Sequence, residues 1–368
     1  MKNTTEQFFV IVPLGFERLC AAELEHITSA PLSIGHGGIS FSGKLRELYM
    51  SNLWLRCASR VLVRLDSFKS RDFPALFNKA VRLPWGKFIK PQRPVSVRVS
   101  CHTSRLNHSD RVAETVQQAI YKALDAKPEP STNLEPQLVF VRFENDICTV
   151  SVDSSGDLLH KRGYRQSSTA APLRETLAAG CLFQCNWDGK LPLWDPFCGS
   201  GTLPIEAALI AANIPPGLQR SFAYQMWPGY RDGLWQTLKS EAQQVRREVG
   251  VSITGSDISA AALQAAISNA QQAGVAELVR FHQADAMGGP APASTGVIVC
   301  NPPYGERLKI SGNCAQLLSS LKTQLRTHAP HWSGWALLPQ GIATNSKDDF
   351  SFSNGGLDVS LYPLHGDG

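Results

Sequence analysis

The sequence predicts an α/β protein of three units, the last built on a mostly parallel sheet, and three observations carry that prediction. From residue 192 onward, short apolar runs alternate with helical patterns, as strands do when both their faces are covered by helices. Before residue 155, two shorter stretches each combine period-two runs with amphipathic helices. The chain has 368 residues, 43% hydrophobic and 18% charged, enough apolar material for about two or three domains and too much for a disordered protein.

Taken in order, Phe8–Val12 is an apolar strand stopped by Pro13 and Gly15, and Glu17–Ile27 places Leu19, Ala22, Leu24 and Ile27 at helical spacing. A glycine-rich turn leads into a strand at Gly38–Ser42, and Leu45–Leu53 returns to helix. Residues 58–66 set Val61, Val63 and Leu65 against Arg60, Leu62 and Arg64, the alternation of a half-buried strand. These elements form a first unit, residues 1–65. The second, 66–155, has a helix at Phe73–Arg82 and a strand through Val95, Val97 and Val99. A helix at Arg111–Leu124 follows, striped with Val112, Val116, Ala119, Ile120 and Ala123. After a proline-containing linker, Gln137–Glu144 and Asp146–Asp153 read as a hairpin. Leu158–Arg165 is a basic segment with Tyr164 among its cations, either a solvated linker or a hinge that touches nucleic acid. The third unit, 156–368, shows strands at Pro192–Asp195, Ser252–Asp257, Val279–Ala284 and Val297–Cys300. Its helices are Leu203–Ala212, Leu234–Val249 and Ser259–Gln272, and the insertion Asn213–Gly250 is rich in Pro, Trp and Tyr.

Net charge is +5, from 36 Lys/Arg against 31 Asp/Glu, and it is unevenly placed: residues 1–166 carry 23 basic against 16 acidic side chains. That asymmetry points to a polyanion such as nucleic acid at the first half. The nine cysteines include no C-x-x-C pair, and Cys181 and Cys185 have no histidine pair nearby, so a disulfide framework or zinc site is not expected and a reduced, cytoplasmic compartment is. No run reaches the ~18–20 apolar residues of a membrane span, and no signal peptide is expected.

Two segments carry chemistry. In Asp195-Pro-Phe-Cys-Gly-Ser-Gly-Thr202 a strand ends in an acid, then a Gly-x-Gly turn opens a helix, which gathers backbone N–H groups and a carboxylate around one crevice. A dinucleotide fingerprint is disfavoured, because position 204 is proline and the next strand-end acid, Asp257, lies far beyond the spacing of a nicotinamide site. Asp257 suits a ribose diol, and Asp285, after the following strand, suits the amine of an adenine. In Val297-Ile-Val-Cys-Asn-Pro-Pro-Tyr304 a buried strand ends in Asn301, Pro302, Pro303 and Tyr304. The prolines hold the backbone extended, so the Asn301 amide oxygen and the Pro302 carbonyl can grip the hydrogens of an NH₂ group, with Tyr304 as a stacking ring.

Together, D-P-F-C-G-S-G-T, the two later acids and N-P-P-Y-G-E-R-L resemble the class I S-adenosylmethionine-dependent methyltransferases that modify amino groups. More narrowly the chain is similar to the THUMP-domain RNA guanine-N2 methyltransferases, of the kind formed by the N-terminal half of the 23S rRNA methyltransferase RlmL. Lys161-Arg-Gly-Tyr-Arg165, Ala171-Pro-Leu-Arg-Glu175 and the aromatic stretch Phe222–Pro228 belong to the same likeness. The resemblance implies a Rossmann-like class I methyltransferase domain (156–368), preceded by a ferredoxin-like segment (1–65) and a THUMP RNA-binding domain (66–155). It implies S-adenosylmethionine as cofactor, held by Asp195, Phe197, Cys198, Gly199, Ser200, Gly201, Thr202, Asp257, Ile258, Asp285, Ala286, Asn301 and Leu173. Asn301 to Tyr304 would orient the target amine, and Lys161, Arg162, Arg165 and Arg307 would contact RNA, with no metal and no membrane involved. Some bacterial relatives carry a second methyltransferase domain fused behind the first, and this sequence stops before one. Ribosomal RNA is the expected substrate. A tRNA guanine, or a non-catalytic role in RNA binding and ribosome assembly, are the alternatives.

Overall fold

The computed structural model describes residues 4–126, 134–165, 173–286, 291–303, 314–342 and 350–364. Two seven-stranded sheets carry the chain. The first unit supplies β1 (Glu6–Ile11), α1 (Glu17–Glu25), β2 (Ser33–Gly35), β3 (Gly38–Gly43), α2 (Leu45–Trp54) and β4 (Arg60–Lys69). The second supplies α3 (Phe73–Ala80), β5 (Val95–His102), α4 (Ser109–Leu124), β6 (Gln137–Glu144) and β7 (Ile147–Asp153). The sequence patterns predict two separate bodies; the structure joins them in one sheet of order β2-β3-β1-β4-β7-β6-β5. β4 is the shared strand. Its residues Arg60–Arg64 pair with β1, while Leu62–Lys69 pair with β7 across a bulge between Arg64 and Asp66. A β-bulge adds local twist, which lets one strand serve two ladders.

The alternation seen in the sequence sets the faces of this sheet. Phe8, Val10, Val61, Val63, Val139, Val141, Val150 and Val152 are all buried on one side. β6 and β7 close on Asn145 and Asp146 at φ 50° and 63°, the left-handed pair that a two-residue hairpin turn requires.

The C-terminal sheet follows α5 (Glu175–Gln184). It comprises β8 (Leu193–Asp195), α6 (Thr202–Ala211), α7 (Asp232–Gln244), β9 (Ile253–Asp257), α8 (Ala260–Ala273), β10 (Val279–Gln283) and β11 (Gly296–Cys300). It ends with α9 (Cys314–His328), β12 (Trp332–Pro339), β13 (Phe350–Asn354) and β14 (Leu357–Pro363). The order is β10-β9-β8-β11-β12-β14-β13, parallel through β12 and antiparallel at the β14 and β13 end. Nothing in the sequence patterns predicts α9 or the last three strands. Glycines at 334, 355 and 356 interrupt that region, and the antiparallel pair is fixed by distant partners rather than by its own period.

The insertion before β9 is the cement between the two halves. Tyr49 of α2 stacks on Tyr224 at 4.2 Å, and Tyr224 stacks in turn on Phe222 at 5.3 Å. Trp227 Nε1 donates to Gln137 Oε1 over 2.9 Å, and its ring meets Phe88 edge-on. Arg220 donates to the carbonyls of Ser155, Asp157, Leu158 and Lys161, tying down the basic segment that joins the halves. Tyr49, Tyr224, Phe222, Phe88 and Trp227 are all buried there, so apolar rings from both halves share one core.

Candidate active site

The site follows from the strand order. From β8 the chain winds outward to β9 and β10, and then returns to lay β11 on the other flank of β8. The crevice outside the carboxyl ends of the strands at such a switch point is where open α/β sheets take their ligands. Register puts Ile298 beside Trp194, so Asp195 and Asn301 follow neighbouring strands into the same crevice. The cavity there measures about 450 Å³, and its walls include Leu173, Asp195, Phe197–Ser200, Thr202, Asp257, Ile258, Asp285, Ala286, Asn301 and Pro303.

Its floor is a turn held by backbone bonds. Asp195 Oδ1 accepts from Phe197 N at 3.1 Å, Cys198 N donates to Ser256 O at 2.9 Å, and Gly199 N donates to Asp257 Oδ2 at 2.9 Å. The other oxygen of Asp257 accepts from Ser259 N at 2.8 Å. Both oxygens keep a lone pair free for hydroxyl donors. Gly199 and Gly201 take φ 52° and 82°, where a side chain would be strained. Gly201 is not in the wall, however. A Cβ there would stand 3.0 Å from Ala266 Cβ, so this glycine serves the packing of α6 on α8 and not the approach of a ligand. Ile258 is 69% exposed on the lip, an apolar side chain left uncovered beside the acids.

Asp195 is 2% exposed, and burial, with the nearby charge of Asp257, pushes its carboxyl up to about 8. Burial likewise keeps the Cys198 thiol protonated. Across the crevice the Asn301 side-chain oxygen is buried and has no hydrogen-bond partner among the described residues. An orphaned buried acceptor costs about 1–3 kcal/mol, a cost that a donor bound in the crevice would remove. Pro302 is buried and Pro303 exposed beside it. Tyr304 and Arg307 lie outside the described residues.

Two of the cations expected at RNA are engaged by groups inside the protein. Arg162 is 3% exposed; it donates to the carbonyls of Leu159 and Arg56 and lies 3.6 Å from the buried Glu206 carboxylate, so it faces no solvent. Arg165 turns inward as well. Its guanidinium donates to Glu175 Oε1 (2.8 Å), Leu173 O (3.1 Å), Ser200 Oγ (3.2 Å) and Thr202 Oγ1 (3.0 Å). It thus clamps two segments of the crevice wall together, Leu173–Glu175 and Ser200–Thr202. Of the three cations Lys161, Arg162 and Arg165, Lys161 is the exposed one, paired with Asp157. A basic run in sequence gives no sign of carboxylates that arrive from elsewhere in the chain, which is why these roles are not legible there. Replacing Arg165 with alanine should weaken cofactor binding about 10- to 100-fold by calorimetry, with lysine restoring little because a single ammonium cannot copy the planar fork. Unchanged affinity in Arg165→Ala would show the turn to hold its shape unaided.

Among the described residues no group of three or more His, Cys, Asp or Glu side chains is arranged to hold a metal ion, and no helix is long and apolar enough to cross a membrane.

Three family models match successive parts of the chain. A model of the RMKL-like methyltransferase domain matches residues 162–347, one of the RlmL ferredoxin-like domain matches 7–62, and one of the THUMP domain matches 70–153. A Synechocystis protein described as a candidate RNA methyltransferase is 32% identical over 97% of this chain and 96% of its own length. The ribosomal RNA large subunit methyltransferase K/L of Syntrophotalea carbinolica is 36% identical over 96% of this chain, which spans 53% of that protein. The crystal structure of SMU.472, described as a candidate methyltransferase complexed with SAH, superposes over 100% of this chain and 99% of its own with a TM-score of 0.88 at 28% identity.

Proposed function

The chain belongs to the RMKL-like methyltransferase family, and from that premise we propose that it transfers a methyl group from S-adenosylmethionine to the 2-amino group of a guanine in large-subunit ribosomal RNA. The orphaned amide oxygen of Asn301 carries this reading. An aromatic exocyclic amine offers two N–H donors, and a buried acceptor with no partner is what such a donor needs.

The wall fits the cofactor by its chemistry. Asp257 suits the ribose diol, Asp285 an adenine amine, Ile258 a flat base face, and Asp195 a cationic group. When bound, S-adenosylmethionine supplies an electrophilic methyl on a sulfonium. The protein's own part is placement and field. Asn301 accepts one amino hydrogen, with the Pro302 carbonyl as the second acceptor, so that the nitrogen lone pair points out of the ring plane toward the crevice. Two consecutive prolines keep that strand end extended and limit its entropy. Tyr304 supplies the stacking face for a base swung out of its helix, a motion that costs a few kcal/mol of unstacking. The amine's excess proton leaves to solvent after transfer.

Asp195 makes binding pH-dependent, and the sign is fixed by its environment. Below about 8 the empty site holds a proton on this carboxyl. A bound cation favours the carboxylate, so uptake releases the proton, and affinity rises with pH until about 8 and then levels. Calorimetry should show S-adenosylmethionine binding several-fold tighter at pH 8 than at pH 6.5, with proton release visible as a buffer-dependent heat. Asp195→Asn should abolish the slope. A slope that persists in that variant would assign it to another group.

The direct test is mass spectrometry of nucleosides after incubating the purified chain with labelled S-adenosylmethionine and separate rRNA and tRNA fractions. Labelled N2-methylguanosine from rRNA is expected. Label in N6-methyladenosine would overturn the base, label from tRNA alone the RNA, and no labelled nucleoside the activity.

A further inference from the structure

The N-terminal sheet has a second face, opposite its buried valines, and it forms a concavity of about 590 Å³ lined by strand residues and the β2–β3 turn. Register lays its side chains in rows. Ser42, Gln7, Arg64, Ser151, Phe140 and Arg98 are successive cross-strand partners on six strands, so the row runs across both small units. Alongside it runs a second row of Ser67, Thr149, Arg142 and Ser100. Ring, guanidinium and hydroxyl thus alternate over a surface with little bulk.

We propose that this open face is a platform for a single-stranded segment of the RNA substrate, with Phe140 as the stacking ring and Arg98, Arg64 and Arg142 as phosphate contacts. The inference rests on the RNA reading above. Phe140 is half-buried one strand in from the β5 edge of the sheet, flanked by Arg98 and Ser151, with the Arg60 guanidinium 5.8 Å from its ring centre. Arg64 is held in place by Ser40 Oγ at 2.9 Å and lies 4.2 Å over the Phe9 ring, so its charge is aimed before any ligand arrives. Arg142 pairs with Glu144, both more than half exposed, a contact too screened to hold it from a phosphate. Arg98 is exposed. The charge is complementary to a polyanion, and the stacking ring requires bases that are not already paired. An A-form duplex hides its base faces, whereas a single strand can splay them onto an aromatic side chain.

The test uses the full chain and fluorescence anisotropy with a labelled single-stranded oligoribonucleotide, its duplex, and a salt titration. The single strand should bind more tightly than the duplex. Phe140→Leu, which keeps apolar volume in the sheet, should weaken it about 5- to 100-fold, and Phe140→Tyr should restore it. Arg98→Ala should lower the salt slope by about 0.7. S-adenosylmethionine binding, measured on the same samples, should be unchanged and reports that each variant is folded. Wild-type affinity in both Phe140→Leu and Arg98→Ala, or a preference for duplex, would overturn the platform. Tight single-strand binding by a chain that methylates no nucleoside would instead overturn the enzymatic reading and leave the platform standing.

Discussion

Asn301→Ala should lose methyl transfer by about 10²- to 10³-fold, the size seen when one positioned polar group is removed from a reacting centre. Affinity for S-adenosylmethionine should stay within about threefold, because the acids and the glycine turn on the β8, β9 and β10 side are untouched. Stability is the more telling readout. A buried oxygen without a partner destabilises the folded chain, so removing it should leave the melting temperature unchanged or raise it. Activity lost while stability is kept marks a residue retained for its substrate. Equal loss of cofactor binding, or a collapse in stability, would remove Asn301 from the role given to it and make it part of the frame.

Glu206→Ala should do the reverse, destabilising the protein by about 3–5 kcal/mol and lowering its melting temperature by several degrees. Glu206 is fully buried on α6 and faces Arg162 at 3.6 Å, and Tyr164 donates to it at 3.1 Å. Arg56, also buried, donates to the carbonyls of Leu209 and Ile214 and feels the same carboxylate. Burial pushes the Glu206 carboxyl up, and the two arginines pull it back. Alanine strands two guanidinium charges with one counter-charge removed, and the first half, the joining segment and α6 lose their common centre. Thermal unfolding of Glu206→Ala should therefore show the halves parting in separate transitions. A single transition at the wild-type temperature would mean that the stacked rings around Tyr224 hold the halves alone.

The site was legible where its signals are local. Asp195, Asp257 and Asn301 each stand at the end of a strand, and each is followed by a turn chemistry that names the stop, so periodicity and punctuation locate them. Gly201 shows the limit of that method: its left-handed turn is readable, but whether its missing side chain faces a ligand or Ala266 depends on how two helices pack. Arg162 and Arg165 show another limit. Charge in sequence reads as surface until a carboxylate arrives from 10 or more residues away, as Glu175 does for Arg165 and Glu206 does for Arg162. Most elements as far as β11 were legible, the short β2 and α5 excepted, and the least legible feature was the pairing of β4 with β7, since the choice of strand partner is settled by distant segments rather than by either strand's own pattern.

That pairing has a consequence for how the molecule can be divided. A cut between residues 65 and 66 severs β4 in mid-ladder, baring a raw edge on each fragment where unpaired amides recruit foreign strands. The two small modules are therefore not interchangeable cassettes: neither can be grafted, expressed or inherited without carrying a piece of the other.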